Sequence, residues 1–281
     1  VLRLINFANS EVFMIGTFAT LYMQTKILGF TNLSPVIHGY KLWTTLALSL
    51  LASMLVSAVV AIFVELVAYR RLRAKGANRL ASLISAIGVS IVLLEGMGIV
   101  TGSRPQSAPR LLEKWSFGEI GGANFRIDTL MAIVIPIVIF IALNRFVTRT
   151  RLGKSIRAVS MSEENSKLMG ININRVITLT FVIGGLTTGA ASFLFMTVYE
   201  NTKFNVGFNM GIAAFTAAVL GGIGNLKGAF YGGIALGLME QFASAVIGSQ
   251  WKAVTVFVVL VVVLLFKPNG LFGEAVQQTR T

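Results

Sequence analysis

Long apolar runs dominate this chain. A helix needs roughly 17–25 apolar residues to cross a bilayer. About eight candidate runs occur: Val12–Leu28, Leu42–Tyr69, Leu80–Gly102, Thr129–Phe146, Val176–Tyr199, Gly207–Ile223, Gly228–Ile247 and Ala253–Phe266, the last short and valine-rich but uninterrupted by charge. The expected fold is an all-α polytopic transmembrane bundle of about eight spans, one membrane domain over residues 1–281. Composition agrees. Only 12% of residues are charged, 55% are hydrophobic, and the mean hydropathy is +0.78. A soluble domain carries about a quarter charged residues, and this chain lacks the polar surface to stay in solution. The sixth and seventh runs are rich in glycine. They are joined only by Gly224-Asn225-Leu226-Lys227, so they form either a tight hairpin or a partly re-entrant pair.

The net charge of +13 does not point to nucleic acid. The cations gather in short loops beside apolar runs, which is the pattern of membrane topology. The loop after the second run holds Arg70, Arg71, Arg73, Lys75 and Arg79. The loop 149–175 holds Arg149, Arg151, Lys154, Arg157, Lys167 and Arg175. The loop 103–128 instead mixes Arg104, Arg110, Lys114 and Arg126 with Glu113, Glu119 and Asp128. Positive-inside logic places the first two in the cytoplasm and the third outside. Lys227, Lys267, Arg280 and the C-terminus then fall in the cytoplasm. The segment Val1–Glu11 comes out cytoplasmic, or ends a further helix. The opening VLRLINFANSE has no basic n-region, cleavage pattern or initiator methionine. No signal peptide is expected, and the numbering is expected to begin inside a longer protein.

Several chemistries drop out. With no cysteine there is no disulfide, thiolate metal site or redox pair. The single histidine, His38, builds neither a metal cluster nor a hydrolytic triad alone. No catalytic or metal-ligating residue is expected. Gly153-Lys154-Ser155 resembles the tail of a phosphate loop, but the glycine required five residues earlier is Thr148. ATP binding by this chain is therefore not expected.

The stretch SMSEENSKLMGININR, Ser160–Arg175, is polar and too short to span. Ser160 precedes Glu163 at capping-box spacing. Glu163 and Glu164 suit the positive end of a helix, and Lys167 the negative end. Gly170 suits a left-handed stop. The reading is a short helix over Met161–Met169, with Asn165 between Met161 and Leu168 on one face, and Leu168, Met169 and Ile171 as an apolar knob. Physics alone leaves two uses open: a helix resting on lipid headgroups, or one that docks into a cytoplasmic partner.

Two further sets stand out. Gly185 and Gly189 are four apart, as are Gly224, Gly228 and Gly232, and Gly233 and Gly237. Small residues at this spacing let helices approach closely. They serve plain packing, or line a pathway or a subunit interface. Glu95 and Glu240 sit inside apolar runs, while Glu11 and Glu65 lie near run ends, where snorkelling, capping or pairing is expected. Asn6, Asn9, Ser85, Ser90 and Asn209 join Glu11, Glu95 and Glu240 as candidates for a translocation path.

Glu164-Asn165-Ser166, three residues, then Gly170 resembles the EAA-x-x-x-G loop of ABC-importer permeases. RAVSMSEENSKLMGININRV is similar to the coupling loop of LivH-type branched-chain amino acid permeases. INFANSEVFMIGTF, SAIGVSIVLLE, FTAAVLGGIGNLKGAFYGGIALGLMEQF and LLFKPNGLFGE resemble further blocks of that family, in order along the chain. Three departures are visible. Asn165-Ser166 replaces an alanine pair, Asn9-Ser10 stands where the family usually has His-Gly, and the helix the family usually carries before the Ile-Asn-Phe-Ala block is expected to lie outside this numbering or to be absent from an unusual member.

The resemblance implies a bacterial inner-membrane importer. It would be assembled from this chain, a second LivM-like permease, two cytoplasmic ATPase subunits and a periplasmic binding protein. ATP and magnesium would reside in the ATPases. Ser160, Met161, Glu163, Glu164, Asn165, Leu168, Met169 and Gly170 would form the ATPase contact. The cargo would be branched-chain or other neutral amino acids. Urea or short amides on the same machinery are the nearest alternative. An ion-coupled secondary transporter using Glu95 or Glu240 is an alternative of another class, and a channel built on Gly221–Gly237 is a third.

Overall fold

The structure is a computed structural model and describes residues 7–31, 37, 39–76, 79–112, 116–120, 123–267 and 270–273. The chain forms two compact units, Asn6–Gly207 and the part from Phe208 onward.

Helix α1 (Ala8–Tyr22) continues into a π-helical segment, Met23–Ile27. Helix α2 (Tyr40–Val64) continues into a second π segment, Glu65–Arg70, and a last turn, α3 (Arg71–Ala74). Helix α4 (Arg79–Thr101) follows, then the short strands β1 (Gln106–Ser107), β2 (Ser116–Ile120) and β3 (Ala123–Arg126). Helices α5 (Ile127–Arg149), α6 (Arg151–Met161), α7 (Glu163–Leu168) and α8 (Ile173–Tyr199) come next, then β4 (Asn201–Thr202). The last described elements are α9 (Val206–Gly221), α10 (Leu226–Ile247), a 3₁₀ turn at Ser249–Trp251, and α11 (Lys252–Phe266).

Among the described residues, six helical stretches are long and apolar enough to cross a membrane: Tyr40–Arg73, Leu80–Thr101, Ile127–Arg149, Ile173–Tyr199, Leu226–Ile247 and Ser249–Phe266. Val206–Gly221 is apolar but shorter. The outward faces carry exposed Leu55, Val59, Ile84, Val92, Val138 and Phe257, as lipid-facing helices must.

The first unit is built around α1, α2 and α8. Small residues set their crossing. A Cβ on Gly189 would lie 2.5 Å from the Ser53 carbonyl oxygen, and one on Gly185 2.6 Å from the Ala58 Cα. A Cβ on Gly16 would lie 2.6 Å from the hydroxyls of both Ser57 and Ser192. Hydroxyls then bridge the helices. Ser192 donates to the Phe13 carbonyl at 2.8 Å, and Thr17 and Thr202 share a bond of 2.7 Å. With apolar lipid on one side and apolar side chains on the other, close packing and such bonds are what hold helices together.

The expected loop 103–128 contains a hairpin that the sequence pattern leaves as loop. Ile120 pairs with Ala123 and Glu119 with Asn124 across β2 and β3. Gln106 and Ser107 of β1 pair with Thr202 and Asn201 of β4.

In the unit from Phe208 onward, α9 and α10 form a close antiparallel pair. A Cβ on Gly232 would lie 2.8 Å from the Gly221 nitrogen, and Gly228 meets the Gly221 carbonyl. Gly222 and Gly224 take φ of 102° and 98°, so the connection is a tight turn. Asn225 caps α10, accepting from the backbone N–H of Lys227 at 3.0 Å and of Gly228 at 3.2 Å.

Candidate functional site

The polar stretch folds as a two-helix hairpin. Thr150 starts α6, its hydroxyl accepting from the Gly153 N–H at 3.0 Å. Gly153 is buried against Phe146 and Val147, where a Cβ would lie 2.5 Å from the Val147 carbonyl oxygen. The Gly-Lys-Ser triplet thus lies in the first turn of a packed helix. Val159 is buried and pins the far end of α6.

The cap of the second helix differs from the one expected from sequence. Helix α6 runs through Met161, so Ser160 lies inside it and donates to the Arg157 carbonyl at 2.7 Å. The break falls at Ser162, whose φ of −153° and ψ of 117° are extended. Its hydroxyl accepts from the Asn165 N–H at 3.2 Å. Helix α7 is therefore Glu163–Leu168, not Met161–Met169, and Ser162 is the capping position that the spacing to Glu163 did not single out. The signal was present, because serine is a favoured N-cap at either position. Glu163 and Glu164 occupy the first turn and Lys167 the last, as the helix dipole favours.

Gly170 stops the helix with φ of 76°. The Ile171 N–H reaches the Ser166 carbonyl at 3.0 Å and the Gly170 N–H reaches Lys167 at 3.1 Å, a Schellman end. Asn172 then caps α8, its side chain accepting from the Arg175 N–H at 3.1 Å. Of the two residues that replace the alanine pair, Ser166 is buried and Asn165 exposed. The inward position thus still holds a small side chain.

The hairpin presents three apolar tips to solvent: Met161, Leu168 and Met169, each about 85% exposed. Apolar groups uncovered on a charged, capped loop are candidates for a contact surface.

Residues 1–265 match the family described as branched-chain amino acid transport system / permease component. The chain belongs to that family. This permease is 38% identical to the high-affinity branched-chain amino acid transport system permease protein BraD of Pseudomonas aeruginosa, over 98% of this chain and 87% of the relative. It is 35% identical, over the same shares, to the permease protein LivH of Escherichia coli. It is also 22% identical, over 90% of its length and 85% of the relative, to the probable permease LivH of Methanocaldococcus jannaschii. No solved structure matches it.

The candidate path residues of the permease separate into groups. Asn6 lies outside the described residues, as do His38 and Arg280. Asn9 donates to the Thr188 hydroxyl at 3.0 Å. Thr188 lies in the middle of α8, so the first turn of α1 sits inside the bundle. Glu11 is only 1% exposed. One carboxylate oxygen accepts from Ser90 at 3.3 Å, with Ser10 at 3.5 Å. The other has no hydrogen-bond partner among the described residues. A Cβ on Gly207 would lie 3.0 Å from it. Glu11, Ser10 and Ser90 thus form one polar cluster, Asn9 bonds separately to Thr188, and the buried Glu11 does not snorkel.

Glu65 does not snorkel either. It is fully buried and pairs with Arg73 at 2.9 Å. Glu95 faces outward from α4, Ser85 is half-buried on the same helix, Asn209 is exposed and Glu240 half-buried.

The glycines divide similarly. Gly185, Gly189, Gly228 and Gly232 lie at close crossings, and Gly224 makes a turn. A Cβ on Gly233 or Gly237 would meet nothing within 4 Å, so both sit on an open face.

Proposed function

We propose that this chain is the permease subunit of an ATP-driven importer. It passes branched-chain or other neutral amino acids from a periplasmic binding protein across the inner membrane. The observation that carries the coupling half of this reading is the hairpin. It is capped at Thr150, Ser162 and Asn172, stopped at Gly170, and tipped by Met161, Leu168 and Met169. Such a rigid apolar tip fits a cleft on an ATPase subunit. The branched-chain cargo named for the relatives BraD and LivH supports amino acids over urea or amides.

The assembly comprises a second, LivM-like permease, two ATPase subunits that hold ATP and magnesium, and the binding protein. The membrane domain is this whole chain, with 149–175 as its coupling loop and 103–128 as its external loop. Arg73 bonds to Asn174 at 3.1 Å, so the basic ends of α3 and the α8 start lie together. A shared basic end fits the cytoplasmic side, and the C-terminus is assigned there too. Asn9, Glu11 and Ser90 supply polar contacts to the path.

The test uses Gly170→Val and Glu164→Lys in the assembled importer. Valine is strained at φ of 76°. Both variants should lose uptake and shed the ATPase on purification. Uptake that needs no ATPase and survives both changes overturns the reading.

A further inference from the structure

The cytoplasm-facing end of α2 is not a regular helix. At Glu65 it widens into a π segment that runs to Arg70. π segments are uncommon and recur at functional sites. This one turns Glu65, Ala68 and Tyr69 inward, all buried. They meet α8. Tyr69 packs on Phe181, with ring centroids 5.3 Å apart.

The polar contacts go to the same helix. One carboxylate oxygen of Glu65 accepts from Arg73 at 2.9 Å, and the other from the Thr178 hydroxyl at 3.2 Å. The same Arg73 nitrogen donates to the Asn174 side chain at 3.1 Å. Asn174 and Thr178 lie in the first two turns of α8, directly after the Asn172 cap that closes the coupling hairpin. A carboxylate with no exposure thus ties α2, through one arginine, to the residues on which the hairpin is mounted. A buried charge must keep its partner, because losing it leaves an uncompensated ion. The two helix ends are therefore held in one arrangement.

We propose that Glu65 is a positioning residue for energy coupling. It makes the π end of α2 and the start of α8 move as one body, so that displacement of the hairpin reaches the core crossing at Ser53 and Gly189. This rests on the reading of the hairpin as the ATPase contact. Without the link, the hairpin follows the ATPase while α2 lags, and ATP is hydrolysed without transport.

The test measures amino acid uptake and ATP hydrolysis together. It uses the reconstituted importer in vesicles with its binding protein. The variants are Glu65→Gln and Asn174→Ala. Asn174 is exposed, so its variant reports even where Glu65→Gln fails to fold. The ATPase should remain bound at the wild-type ratio. Transport per ATP should fall roughly fivefold or more for Glu65→Gln and about twofold for Asn174→Ala, the range typical of residues on a coupling route. An unchanged ratio in Asn174→Ala, or uptake and hydrolysis falling in proportion, overturns the proposal. A wild-type complex that holds no ATPase overturns the reading of the hairpin instead.

Discussion

The hydroxyl of Ser53 lies 2.7 Å from the carbonyl oxygen of Gly189, 136 positions along the chain, and 2.9 Å from that of Gly16. One side chain on α2 thereby faces the backbones of both α1 and α8. Only glycine on α8 lets the helices come this close. Gly189→Ala should clash with the backbone of Ser53 and Met54 and cost about 1–3 kcal/mol, as overpacking does. Thermal unfolding of the purified chain in detergent checks this. Gly237→Ala, which meets nothing within 4 Å, should leave the midpoint unchanged.

The open face at Gly237 gives a second prediction. Gly237→Leu should leave the isolated chain as stable as wild type. It should reduce recovery of the second permease in a pull-down, because glycine faces on membrane helices serve close helix contacts. Recovery equal to wild type with Gly237→Leu would assign Gly237 to lipid.

The hairpin cap separates two serines. Ser162→Ala removes the acceptor for the Asn165 N–H and should cost α7 about 1 kcal/mol. Ser160→Ala removes only a bond to the Arg157 carbonyl within α6 and should cost less than about 0.5 kcal/mol. Amide exchange across α7 reads the difference directly: faster exchange in the first variant, no change in the second.

The apolar tips give a fourth. Leu168→Asp with Met169→Asp changes side chains that touch little of the chain itself, so folding should be unaffected. ATPase retention should drop by at least about tenfold, or roughly 1.4 kcal/mol of binding. Size-exclusion chromatography of the complex measures it. Retention at the wild-type level would assign the tips to lipid headgroups.

Glu11 gives the last. Glu11→Gln keeps an acceptor for Ser90 but removes the charge. The fold should hold, and amino acid uptake should fall roughly tenfold, equivalent to about 1.4 kcal/mol on the transport barrier. Unchanged uptake would make the cluster a structural anchor only.

The long spans were legible because α2, α4, α5, α8 and α10 are set by apolar length, which lipid enforces residue by residue. The π segment at Glu65 was not, since no local pattern distinguishes it from the α-helix before it. Ser160 and Ser162 show a similar limit. The spacing to Glu163 favours Ser160, but Gly153 packed on Val147 and Val159 in the core carry α6 two residues further. Tertiary packing thus decided between two good caps. The glycines were identical by spacing, and only their neighbours separated Gly189 from Gly237. Glu11 read as a margin residue, because its place beside the middle of α8 depends on how α1 is seated.

Helix α8 has the hairpin at one end and the β1–β4 pairing at the other. Its 27 residues make a rod about 40 Å long. A tilt of about 5° about its hairpin end would sweep its β4 end through roughly 3.5 Å, with that length as the lever arm. A small rotation at the hairpin would thus become a displacement at the strand pair, and a load on β1 and β4 would apply torque to the hairpin.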